Sequence, residues 1–335
     1  MRPTITLVLV ALACAASFAC GSSATPVSRG GPAAEAGADL ASLDLPAGIA
    51  ETSIGPIDVA PGVEKTVCIT KRLGNTQDLA ISGYTASLAP GSHHLILYTT
   101  NDTAENLTPT PCRPFVGLAG GDAVPLVLVN ERKLEWKFPS GVAVEVPKNQ
   151  MLRIEAHYIN TSAADLMGLG AVSFQGTPKA SAPSYVAADF LFWGTDSIHI
   201  PPGATYSTRP TFQAGTAGTH LVSISTHQHS LGTGIKVWAS AQAGDMSRPI
   251  ANDLDWSNPA WSLLSPTVDF DGTSGLTYQC DWNNTTPWTI TFGESALDEM
   301  CFVGGYYYPG HGFDLKITGS PTAAAPSGTS DAGAD

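Results

Sequence analysis

Residues 151–160 read Met-Leu-Arg-Ile-Glu-Ala-His-Tyr-Ile-Asn, and their alternation decides the fold class. Successive side chains of a β-strand point to opposite faces. Leu152, Ile154, Ala156 and Tyr158 therefore share an apolar face. Arg153, Glu155 and His157 share a polar one, directed away from the core. Six further alternating or β-rich runs lie on either side: 94–99 (HLILYT), 125–129 (PLVLV), 142–147 (VAVEVP), 220–227 (HLVSISTH), 235–240 (IKVWAS) and 301–308 (CFVGGYYY). No segment of useful length has helical periodicity. The 34 glycines and 25 prolines suit many short strands joined by turns. The expectation is an all-β protein of antiparallel sandwiches or jelly rolls. Its domain boundary is expected in 176–183 (GTPKASAP).

The chain has 335 residues, and hydrophobic residues make up 43% of it. Without an export signal and two low-complexity ends, roughly 270 residues remain, enough for two ordinary domains. Net charge is −13 with only 16 Lys and Arg. No basic stripe is present for a nucleic-acid backbone, and the acidity argues against peripheral binding to anionic lipid. Arg2 precedes an apolar run from Ile5 to Ala19, which is short for a membrane span and suits a signal-peptide core. That run ends in Ser17-Phe18-Ala19-Cys20-Gly21, which resembles a bacterial lipoprotein signal with Cys20 as the lipidated residue. The mature chain is then extracytoplasmic and membrane-anchored only through lipid, with 21–49 as a flexible Ala/Gly/Ser/Pro-rich tether and 319–335 as a disordered tail. Four cysteines remain, Cys68, Cys112, Cys280 and Cys301. In an oxidising compartment they suggest disulfides, and three pairings are open. The local pairing, within each half of the chain, requires no bridge between domains and is favoured.

Five of the eight histidines fall in three clusters. His227 and His229, at i and i+2 in Ser225-Thr226-His227-Gln228-His229, project side by side from the polar face of one strand. They form a two-toothed grip for a metal. His93 and His94 are sequence neighbours, which point to opposite faces of a regular strand. They can meet one metal only where the pleat is broken, after Pro90-Gly91. His157 projects from the polar face of 151–160. His220 shares a face with Val222 and Ile224 and reads as structural. His199 and His311, beside turns, read as structural or surface residues.

In this order and at these spacings, the clusters resemble those of the copper type II, ascorbate-dependent monooxygenases, the family of peptidylglycine α-hydroxylating monooxygenase and dopamine β-monooxygenase. The resemblance extends to Val67-Cys68-Ile69-Thr70, to Glu155-Ala156-His157-Tyr158, to Thr277-Tyr278-Gln279-Cys280, and to Asp298-Glu299-Met300-Cys301 followed by Tyr306-Tyr307-Tyr308-Pro309. It covers residues 55 to 318. It implies two jelly-roll domains, 50–176 and 183–318, facing each other across a cleft with one copper on each. His93, His94 and His157 would hold the electron-relaying copper. His227, His229 and Met300 would hold the copper that activates O2. The disulfides implied are Cys68–Cys112 and Cys280–Cys301.

Imidazole suits copper, and a thioether favours the reduced ion. A zinc hydrolase is disfavoured, since zinc sites use His, Cys or carboxylate in place of Met. The implied reaction hydroxylates a C–H bond of a small substrate with O2 and two electrons, from ascorbate or another one-electron reductant. Substrate contacts carry over poorly. Ser225 stands where the peptidylglycine enzymes have an arginine, and Phe302 and Gly304 replace an asparagine and a tyrosine. The alternatives are a non-catalytic lipoprotein that stores, delivers or senses copper, and a β-sandwich adhesion module with no copper dependence.

Overall fold

A computed structural model of the chain describes residues 43, 45–113, 123–182, 184–256, 259–293 and 297–319. The expected signal peptide, Cys20, most of the tether and the tail beyond Gly319 lie outside the described residues. The seven runs read from the sequence are all strands: Ser92–Thr100, Ala123–Val129, Val142–Val146, Met151–Ile159, Thr219–His227, Gly232–Ser240 and Phe302–Tyr308.

The first half of the chain builds two sheets. One runs Asn106–Pro111, Glu64–Arg72, Met151–Ile159, Ser92–Thr100, Ala123–Val129 in space. The other runs Ala50–Val59, Leu166–Pro178, Leu79–Leu88, Val142–Val146, Val186–Ala187, with Lys133–Lys137 also on Leu79–Leu88. Apolar faces of both sheets meet in one core, through Ile81 and Tyr84 on one side and Leu97 and Ile154 on the other.

The second half repeats the plan. Ser262–Phe270, Thr219–His227, Phe302–Tyr308, Asp189–Thr195 and Asp314–Thr318 form one sheet. Thr205–Ser207, Gly275–Asn283, Gly232–Ser240 and Arg248–Asp253 form the other, with Thr211–Ala214 also on Gly275–Asn283. Trp193, Leu221 and Val303 of the first pack with Val237, Tyr278 and Trp282 of the second. Among the described strands pairing is antiparallel except that Val186–Ala187 runs parallel to Val142–Val146 and Asp314–Thr318 parallel to Asp189–Thr195.

Within the span expected as a tether, Leu43 is buried with Ala89, Leu169 and Ala171, and Ile49 N–H donates to Phe174 O at 2.8 Å. The two halves are in direct contact. They share a core that takes in Phe190, Phe192, Val222, Met300, Phe302 and Tyr306 along with the first half's apolar residues, inside a single compact unit, Gly37–Asp335. Tyr306 is the hub of the contact. Its ring lies 5.7 Å from Trp136, 4.8 Å from Phe138, 5.1 Å from Phe190 and 5.5 Å from Trp261. Its hydroxyl is 3.1 Å from that of Tyr84 and 3.0 Å from Leu126 O. Trp261 N–H also donates to Glu131 Oε1 at 3.0 Å. Burial of this much aromatic surface favours the contact.

Candidate metal centre

The strand Ser92–Thr100 pairs with Met151–Ile159, and the register slips at its start. Ser92 lies opposite Tyr158, but His94 lies opposite His157. His93 is thus the extra residue of a β-bulge, following Gly91 at φ 80°. The bulge turns two neighbouring histidines to one side, as the break after Pro90-Gly91 suggested. The rings of His93, His94 and His157 sit 5.4, 5.2 and 5.0 Å apart. Each offers a nitrogen within 4.8 Å of the others, a group able to hold a metal.

Carboxylates orient two of these rings. His94 Nε2 donates to Glu155 Oε1 at 3.0 Å, and Glu155 Oε2 accepts from Tyr98 OH at 3.0 Å. His157 Nε2 is 2.9 Å from Glu64 Oε1. A carboxylate on one imidazole nitrogen fixes the tautomer and leaves the other nitrogen's lone pair for a metal. His93 Nε2 and His157 Nδ1 are buried with no hydrogen-bond partner among the described residues. Burial first, then the neighbouring imidazoles, holds His93 and His94 well below the usual histidine range. They are neutral at physiological pH, the state that ligates. The polar face of Met151–Ile159 is therefore not turned to solvent. Glu155 is 0% and His157 1% exposed.

The second cluster closes from that half. His227 ends its strand and His229 lies just beyond, both buried, with rings 5.2 Å apart. His229 Nδ1 donates to Asp298 O at 3.1 Å, which puts the lone pair on Nε2. Burial also holds His227 well below the usual range, ahead of the effect of His229. Glu299, next to Met300, accepts from His229 N–H, Leu231 N–H and Trp282 Nε1–H. Burial pushes its carboxyl up to about 7 against those donors. Met300 is 3% exposed, and Cys301 beside it is bonded to Cys280. Cys68 is bonded to Cys112, so the favoured pairing is the one present.

The two clusters touch. The His93 ring lies 5.8 Å from His227 and 6.4 Å from His229, and the His94 ring lies 5.9 Å from His227. Trp256, 5.5 Å from His93, adds a further ring. The other histidines stay apart. His199 and His311 are exposed, and His220 pairs with Asp269 at 2.6 Å and packs on Tyr308.

Sequence reading missed Glu64, Trp256, Trp282 and the role of Glu299. Glu64 faces His157 only through a strand pairing in which Thr66 opposes His157, a register the sequence does not state. Glu155 and Glu299 were visible beside their histidine and methionine, but their partners come from distant strands.

Residues 193–324 match the family model described as copper type II ascorbate-dependent monooxygenase, C-terminal domain. No curated protein gives a significant match to the chain. The matched span contains His227, His229, Met300 and the Cys280–Cys301 disulfide. Over residues 193–324 the chain is therefore similar to the C-terminal domain of the copper type II ascorbate-dependent monooxygenases.

Proposed function

We propose that the chain is a copper-dependent monooxygenase that hydroxylates a C–H bond of a small substrate with O2 and an external reductant, ascorbate or another one-electron donor. The balance is R–H + O2 + 2 e⁻ + 2 H⁺ → R–OH + H2O. His93, His94 and His157 would hold one copper, and His227, His229 and Met300 a second. The observation that carries the reading is the gathering of five buried histidines, three of them held neutral by burial, within a chain whose second half matches this family. The donor set fits copper: imidazoles throughout, with a buried thioether in the second half.

Bound copper would supply one-electron redox steps and O2 activation, while the chain supplies the frame. Glu155 and Glu64 orient His94 and His157. Asp298 O sets the tautomer of His229. Burial keeps the five histidines at most 6% exposed to water. Residues 50–176 and 183–318 would be the two jelly-roll domains. The two disulfides support an extracytoplasmic setting, in which Cys20 would carry the lipid anchor.

One observation favours a second reading, that of a non-catalytic copper carrier. The five histidines are at most 6% exposed, and the rings of His93 and His227, one from each set, lie only 5.8 Å apart. Oxygen consumption separates the two readings. Copper-loaded protein with ascorbate and a panel of phenylethylamines, glycine-extended peptides and simple aromatics should consume O2 in step with a hydroxylated product. Copper that is bound and reduced, with O2 uptake no faster than in copper-free protein, would sink the monooxygenase reading and favour the carrier.

A further inference from the structure

Glu155 and Glu299 are the two carboxylates with no exposure among the described residues. The first serves His94. The second touches no imidazole in the hydrogen bonds described above, yet four N–H groups converge on it. Glu299 Oε2 accepts from His229 N–H at 3.0 Å, Trp282 Nε1–H at 2.8 Å and Met300 N–H at 3.3 Å, and Oε1 accepts from Leu231 N–H at 2.7 Å. Gly232 N–H closes the turn onto His229 O at 2.9 Å. The Glu299 backbone N–H donates to Thr291 O at 3.0 Å, and the Cys280–Cys301 bond ties the same loop to the strand that carries Trp282.

Burying a carboxylate away from a cation is costly unless its oxygens are fully hydrogen-bonded. An apolar side chain would fill the space more cheaply, so its hydrogen bonds are the reason to look for a role. They join three separated segments: the end of the His227/His229 strand, the loop of Met300 and the strand of Trp282. Two of those segments bring His229 and Met300 together.

We propose that Glu299 is the positioning residue of the second copper site. It fixes the main chain on both sides of His229 and at Met300, so that imidazole and thioether are held in register before the metal arrives. This rests on the two-site reading above. A glutamine at 299 keeps the shape but turns an NH2 donor towards N–H donors, so the frame loosens where the ligands are. An aspartate keeps the charge on a shorter arm and should restore part of the effect.

The test uses the full chain loaded with Cu(I). It measures the affinity of each copper by competition with a chromophoric chelator, and sulfur ligation by X-ray absorption. In Glu299→Gln, one copper should bind about 10- to 100-fold more weakly and lose its sulfur scattering, while the other keeps wild-type affinity. Glu299→Asp should fall between. Trp282→Phe, which removes a single donor, should weaken the same copper less and in the same direction, and it decides the matter if Glu299→Gln does not fold. Unchanged affinity and sulfur scattering in these variants would overturn the proposal. So would equal weakening of both coppers with a lowered melting temperature, which marks a general structural role. A wild-type protein that binds fewer than two coppers, or shows no sulfur ligation, would overturn the two-site reading itself.

Discussion

The protonation of single side chains decides whether this centre can take a metal. His93, His94 and His227 are held well below the ordinary histidine range, first by burial and then by neighbouring imidazoles. The folded state keeps them neutral, whereas in the unfolded chain they take up protons as pH falls through about 6.5. Their folded pKa is depressed, so the stability they contribute is present above that pH and lost below it. Copper-free protein should therefore unfold at lower urea as pH drops from 7.5 to 5.5. A flat midpoint across that range would contradict the burial described. Glu155 is the other residue on which the first site turns, since it takes hydrogen bonds from both His94 and Tyr98. Glu155→Gln should weaken copper at the His93/His94/His157 group by about 10- to 100-fold, read by competition with a chelator. Wild-type affinity in that variant would show that the carboxylate does not orient the ring.

Individual strands explain what the sequence could and could not tell. The alternation of 151–160 and 220–227 was legible because each carries an apolar face that must be buried, and the broken pleat after Gly91 was legible from Pro90-Gly91 itself. The strand Leu166–Pro178 was not. It carries Gly168, Gly170 and Gly176, and a Cβ at Gly168 would run into the Tyr158 ring, so its lack of side chains reflects close packing and not a loop. Nor could alternation show that Glu155 and His157, on the polar face of Met151–Ile159, would be buried, because their partners His94, Tyr98 and Glu64 come from other strands. Gly91 is the position where the bulge is most exposed to test. It has φ 80°, and a Cβ there would lie 2.7 Å from Leu166 Cδ1. Gly91→Ala should cost about 1 kcal/mol or more in backbone strain and should also weaken the first copper by displacing His93. Loss of stability in urea unfolding with unchanged copper affinity would show that the bulge does not set the ligand geometry.

At the scale of the molecule, the two halves behave as one body because Tyr306 and its ring of aromatics join their cores. Tyr306→Ala removes a fully buried ring and should cost about 3–5 kcal/mol. It should do so in one transition seen alike by tryptophan fluorescence and circular dichroism. Two separated transitions in the wild type would show that the halves are independent. His93 of the first half also lies 5.8 Å from His227 of the second, a proximity not readable from either half alone. On the proposed reading this body holds two coppers on distinct ligand sets. Copper per chain, measured after loading and desalting, tests it most directly, comparing wild type with a combined His227→Ala, His229→Ala, Met300→Ala variant. Two coppers are expected in the wild type and one in the variant. One or none in the wild type, or two in the variant, would contradict that reading.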